Sequence, residues 1–253
     1  MNYKRSKYFT TLSKRKIKYL FIKKNSQITV VFFHGLMSDM VGAKPTAIQK
    51  FCRKLKLNFL KFEYSGHGRS SGKFIEGNIS KWTDEAKQLI KSKIKKDKNL
   101  IFVGSSMGSW IALNLFSFFK KQIKGFVGIA SAPEFLEKLM WKKFSKKIKK
   151  IIMTKKIYHL ERGGYIYPIT KQLIFDGRKN KVLNNKINLK IPIVLFHGAK
   201  DEVVPLNFSK KIFEICKKSK KKLIKIKNGD HSLSRKSDLK KICNELNYML
   251  TNI

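Results

Sequence analysis

Residues 104–108 read Gly-Ser-Ser-Met-Gly, with an apolar run before them and an apolar helical pattern after them. A serine between two glycines, where a strand passes into a helix, is the setting of a nucleophile elbow. The tight turn projects the hydroxyl, and the glycines let neighbouring backbone pass close by. The competing reading is a glycine-rich turn in an ordinary α/β sheet. An alcohol is a poor nucleophile near neutral pH, so Ser106 needs a base, and the base needs a carboxylate to orient it.

Five histidines are available. His34 and His197 directly follow apolar runs in "FFHG" and "LFHG" and are assigned to closing strand ends by hydrogen bonds. His67 lies in a Gly-rich loop and His159 in an irregular stretch. His231, in "NGDHSL", falls between the last strand pattern and the last helix, where a base serving a serine on a middle strand should lie. "FHGAKDEVVP" places Asp201 after the penultimate strand, with Glu202 as the adjacent alternative and Asp230 read as a loop-stabilising carboxylate. Ser106, Asp201, His231 is the nucleophile–acid–histidine order of the α/β-hydrolases.

The oxyanion of a tetrahedral intermediate would be held by the backbone N–H of Met107, after the serine, and by that of Leu36 in "HGLMSD". Each such donor contributes roughly 3–4 kcal/mol in comparable sites. No metal-ligand spacing and no phosphate-cradling G-x-x-x-x-G-K occurs, and acyl transfer of this kind calls for no cofactor.

The elements that must position these residues alternate along the chain. Strands are expected near 18–22 and at 28–33, 58–64, 99–104, 125–131, 191–198 and 222–228. Helices are expected at 44–56, 79–96, 107–121, 206–219 and about 234–252. The strand near 18–22 is expected to pair with 28–33 across a turn at Asn25-Ser26. Alternation of this kind predicts a mostly parallel sheet covered on both faces, here in a single domain over 1–253. Between 132 and 188 it lapses into helical patterns separated by a turn-rich "ERGGYIYP", read as a lid over the sheet's carboxyl edge. In that insert Leu139, Met140, Phe144, Ile148, Ile151 and Ile152 recur at helical spacing among lysines. Its Tyr165 and Tyr167, with His34 and Trp110, are the candidate pocket residues.

The net charge of +41 comes from 57 basic and 16 acidic residues, and all but seven of the basic ones are lysine, spread along the whole chain. Readers of nucleic acid favour the bidentate fork of Arg, so no specific nucleic-acid partner is expected. Compositional drift toward Lys accounts for the charge, with weak contact to anionic membrane or polyanions as the sharper alternative. Three cysteines without metal-like spacing fit a reducing compartment. No apolar run of 18 residues and no signal-peptide core is visible, which points to a cytoplasmic location, although the basic, Ser- and Thr-bearing N-terminus also has the composition of a targeting presequence.

Together "FFHGLMSDMVGAKPTAIQKFC", "FEYSGHGRSSG", "VGSSMGSWIALN", "DGRKN" and "FHGAKDEVVP" resemble the branch of the α/β-hydrolase superfamily that holds acyl-protein (palmitoyl) thioesterases and acyl-glucuronide esterases. The resemblance covers about residues 28–250. It implies a serine hydrolase with Ser106, Asp201 and His231 as its triad, acting on a small-molecule ester or an S-acylated protein. "FHG" stands here where the mitochondrial thioesterase of this branch carries Pro-Gly. The alternatives from the sequence are a general short-chain carboxylesterase or lipase-like esterase, and a polyanion- or membrane-binding protein on a hydrolase scaffold.

Overall fold

The computed structural model describes residues 6–252. Its centre is an eight-stranded sheet of β1 (Lys7–Thr10), β2 (Lys16–Ile22), β3 (Ile28–Phe33), β4 (Asn58–Phe62), β5 (Asn99–Ser105), β6 (Ile123–Ile129), β9 (Ile193–Gly198) and β10 (Lys221–Ile226), in the order β1-β2-β4-β3-β5-β6-β9-β10. All neighbours from β4 to β10 run parallel, while β1 and β2 join antiparallel at one edge.

The parallel strands are apolar on both faces because helices cover both. On β3, Val31 and Phe33 point to one layer and Val30 and Phe32 to the other. Leu100 and Phe102 alternate with Ile101 and Val103 on β5 in the same way. The first layer holds α2 (Ile79–Lys93), α3 (Met107–Asn114) and α6 (Asn207–Ile215); the second holds α1 (Ala43–Lys54) and α7 (Lys236–Leu250). Each fully buried Phe of the central strands contributes roughly 1.5–3 kcal/mol through the water it leaves behind.

Three expectations need correction. Strand β2 does not pair with β3: β4 lies between them, antiparallel to β2 and parallel to β3. The Asn58 side chain explains this, because its amide accepts from the Lys24 N–H (2.6 Å) and donates to the carbonyls of Ser26 (2.8 Å) and Ile28 (3.1 Å). It thereby splints the connection between β2 and β3 onto β4. The turn-rich "ERGGYIYP" is a hairpin: β7 (Ile157–Arg162) pairs antiparallel with β8 (Tyr165–Thr170). Its two-residue turn is Gly163-Gly164, both at positive φ (57° and 75°), the conformation that matches strand twist in tight hairpins. The helix expected over 107–121 is regular only to Asn114 and then continues as turns.

Between β6 and β9 the chain runs through a short π-helical turn at Leu136–Met140, α4 (Lys146–Lys155), the hairpin and α5 (Lys171–Lys179). Among the described residues no helix is long and apolar enough to cross a membrane.

Candidate active site

Strand β5 hands over to α3 at Ser106, whose backbone sits at φ 51° and ψ −117°. For a residue with a β-carbon this is a sparsely populated conformation costing about 1–3 kcal/mol, kept only where the surroundings enforce it. The surroundings here are tight. A β-carbon on Gly104 would come within 2.5 Å of the Ser109 Cα, and one on Gly108 would overlap the carbonyl of Phe33. Ser106 N–H donates to the Ile129 carbonyl (2.9 Å), and the Ser106 carbonyl accepts from Ala132 N–H (3.3 Å). The turn is thus clamped between β3 and β6.

His231 comes from the loop between β10 and α7. Its Nε2 lies 3.1 Å from Ser106 Oγ and its Nδ1 2.9 Å from Asp201 Oδ2. In the neutral imidazole, Nδ1–H donates to the carboxylate, so Nε2 accepts from the serine hydroxyl. The Asp201 carboxylate is fully shielded from solvent. Its Oδ1 accepts from the N–H groups of Val203 (2.9 Å) and Val204 (2.8 Å). Burial alone would raise the Asp201 carboxyl; the hydrogen bond and charge of His231, with those two N–H groups, hold it below its ordinary value.

The residues weighed against these stand elsewhere. Glu202 is exposed at the cavity mouth, where its carbonyl accepts from Arg162 (3.2 Å). Asp230 caps its own loop, its Oδ1 accepting from Leu233 N–H (2.9 Å). His197 lies 3.7 Å from Asp201 but is occupied: Nε2–H donates to the Val204 carbonyl (2.9 Å) and Nδ1 accepts from the Ser209 hydroxyl (3.0 Å). Burial lowers its pKa, so it serves as a neutral brace under the Asp201 loop.

A cavity of about 960 Å³ opens over Ser106 and His231. Leu36, His34, Tyr165 and Tyr167 line it. Gly35 packs against Ser106, leaving 3.5 Å between a β-carbon built there and Ser106 Cβ, so Leu36 follows directly in the loop that faces the serine. Met107 is the first residue of α3, where backbone N–H groups lack intrahelical partners. His34 is buried; its Nδ1–H donates to the Gly35 carbonyl (2.8 Å) and its Nε2 accepts from Tyr64 N–H (3.4 Å). Burial, and then neighbouring His67, keep it neutral by lowering its pKa well below the ordinary value.

Trp110 is a correction: it does not line the cavity. It is fully buried on α3, its indole N–H donating to the Asn180 carbonyl (2.7 Å) and its ring packed edge-on to Phe135. The helical register turns it away from the mouth and toward the insert.

One residue the sequence reading passed over is Glu63, just beyond β4 and fully buried. Its carboxylate accepts from Arg69 N–H (2.7 Å) and Met40 N–H (3.5 Å). It therefore ties the Gly-rich loop to the loop that carries Leu36. The only signal for it is a single acid at the end of the apolar "NFLKFEY". Among the described residues no cluster of three or more His, Cys, Asp or Glu side chains is arranged to hold a metal ion.

The sequence profile of the family described as "Hydrolase_4: Serine aminopeptidase, S33" matches residues 24–166, more than half of the chain. The chain belongs to this hydrolase family. Among curated proteins, the bovine mitochondrial palmitoyl-protein thioesterase ABHD10 is 29% identical over 215 residues, spanning 83% of this chain and 69% of that protein. Among solved structures, a putative hydrolase from Agrobacterium vitis S4 superposes with a TM-score of 0.91 at 29% identity, covering 96% of this chain and 98% of the other. Mouse alpha/beta hydrolase domain-containing protein 10 superposes with a TM-score of 0.88 at 25% identity, covering 98% of each chain. The architecture is therefore an α/β-hydrolase fold. In this hydrolase the Gly-x-Ser-x-Gly turn lies inside the matched segment, and Asp201 and His231 lie beyond it.

Proposed function

We propose that this hydrolase cleaves carboxylic esters or S-acyl thioesters through an acyl-enzyme on Ser106. The observation that carries the reading is the continuous hydrogen-bonded chain from Ser106 Oγ through His231 to the buried Asp201 carboxylate. As Oγ attacks the carbonyl carbon, its proton passes to His231 Nε2, and Asp201 stabilises the imidazolium. The N–H groups of Met107 and Leu36 hold the oxyanion. Collapse of the tetrahedral intermediate expels an alcohol or thiol, which takes the proton back from His231. Water then repeats the sequence on the acyl-enzyme and releases the acid.

The walls of the cavity support an acyl substrate. The insert lines the cavity with the apolar Phe135, Leu139, Met140, Leu160 and Tyr167 and with Arg162, and the other loops add the polar Ser38, Lys44, Lys200, Asp230, Ser232 and Ser234. An acyl chain fits beneath the insert, with the leaving group toward those polar loops. The similarity to proteins named as palmitoyl-protein thioesterases favours a thioester and a long chain.

The test is kcat/KM for oxygen esters and thioesters of the same acyl groups, from acetyl to palmitoyl. Preference for long-chain thioesters supports the full reading. Preference for short oxygen esters leaves a general carboxylesterase, and no turnover of any member overturns the reading.

A further inference from the structure

One cation of the cavity wall touches the loop that carries the base. Lys44 stands in the first turn of α1, just after the loop 35–42 that holds Leu36. Its Nζ donates to the Ser232 carbonyl (2.5 Å) and to Ser234 Oγ (3.3 Å), 188 and 190 residues further along the chain. Ser232 is the residue after His231. A lysine near a helix N-terminus faces the positive end of the helix dipole, an unfavourable place for a cation. Burial brings its pKa down to about 8, against the opposing pull of Asp230. The hydrogen bonds that Lys44 makes lie across the cavity, on the loop that carries His231.

The opposite loop needs a tether. On the side before His231, the loop is fixed by Lys200 N–H to the Gly229 carbonyl (2.8 Å), and its backbone crowds Gly198. On the side after it, residues 232–234 double back through Leu233, which is fully buried at φ 46°. A residue with a branched side chain in the left-handed region is strained and stays there only when its neighbours are held. Leu233 N–H donates to Asp230 Oδ1 (2.9 Å), and its neighbours are held by the Ser232–Ser234 hydroxyl pair (2.7 Å) and by Lys44. Among the described residues, Lys44 is the one whose hydrogen bonds reach them from another element of the cavity wall.

We propose that Lys44 is a positioning residue that straps the His231 loop to the start of α1, fixing the base and the Leu36 oxyanion donor relative to one another. Its ammonium holds the backbone on which the imidazole is mounted, and the two halves of the site, contributed by distant parts of the chain, are registered through it. The inference rests on the acyl-enzyme reading above, since the registration matters only if His231 and Leu36 act on the same carbonyl.

The experiment compares Lys44→Met, which keeps the stem and removes the ammonium, with Lys44→Arg and with Lys50→Met, an exposed lysine on the same helix. For each, kcat and KM on a short-chain p-nitrophenyl ester, the rate of fluorophosphonate labelling of Ser106 and the thermal midpoint are measured, with kinetics taken well below every midpoint. Lys44→Met is expected to lower kcat and the labelling rate on the order of tenfold to a hundredfold, with KM within about twofold of the wild type. Lys44→Arg restores most of the loss, and Lys50→Met changes nothing. Lys44→Gln, too short to reach Ser232, gives the same loss and replaces Lys44→Met if that variant does not fold. An unchanged kcat in Lys44→Met overturns the proposal, as does a loss of kcat that disappears on cooling and simply follows the midpoint. A wild type that neither turns over the ester nor takes the label contradicts the acyl-enzyme reading instead, so the two failures are distinct.

Discussion

The α-carbon of Gly108 rests on the carbonyl of Phe33, so close that no β-carbon fits between them. This contact sets how near the start of α3 comes to the end of β3, and therefore how near Ser106 comes to the loop that carries Leu36. A methyl group there must push the two elements apart. Gly108→Ala is expected to lower stability by about 1–3 kcal/mol and to slow fluorophosphonate labelling of whatever protein remains folded. Thermal unfolding and labelling of the purified variant measure both.

Ser106 pays for its exposure with a left-handed backbone that glycine adopts freely. Relative to Ser106→Ala, Ser106→Gly is expected to gain about 1 kcal/mol, a rise of roughly 2–4 °C in the thermal midpoint for a chain of this size. Both variants are inactive, so calorimetry reads the strain without interference from catalysis. Equal midpoints would mean that the elbow is relaxed.

The carboxylate of Asp201 sits below its ordinary pKa, and the sign of the consequence follows. A group that ionises more readily in the folded than in the unfolded state adds stability above its unfolded pKa and loses it as pH falls through the folded one. The Asp201 contribution is therefore complete above about pH 4 and disappears below it. Asp201→Asn is expected to flatten the acid limb of the stability profile, and to lower kcat on the order of a thousandfold to ten-thousandfold at pH 7 because His231 loses its tautomer control. Denaturant midpoints from pH 2 to 7, with kinetics at pH 7, check both effects.

Trp110 braces α3 against the insert through Asn180 and does not line the cavity over Ser106. Trp110→Phe removes one hydrogen bond, takes the donor from the Asn180 carbonyl and opens space at a fully buried site, and should cost about 2–4 kcal/mol. Its acyl-chain preference should match the wild type. A changed preference would place Trp110 in the pocket after all.

The order Ser106, Asp201, His231 was readable because each residue carries a local sign of its place: the glycines around Ser106, the apolar strand before Asp201, the loop-to-helix step after His231. The strands of the parallel sheet were readable for the same reason, as runs buried on both faces need no partner to be recognised. What depends on distant partners was not readable. The neighbour of β2 is chosen by Asn58, more than thirty residues from the turn it splints. The direction of Trp110 is decided by Asn180, and the hydrogen bonds of Lys44 by a loop near the other end of the chain. The Gly163-Gly164 hairpin was within reach of the sequence, since two glycines between alternating apolar residues signal such a turn; the surrounding lysines and charged residues obscured the alternation.

The most direct test of the central claim is to treat the folded protein with an alkyl fluorophosphonate and map the adduct by mass spectrometry. One adduct is expected, on Ser106, absent from Ser106→Ala and formed far more slowly in His231→Ala. No adduct in folded protein, or an adduct on another residue with Ser106 unmodified, would contradict it.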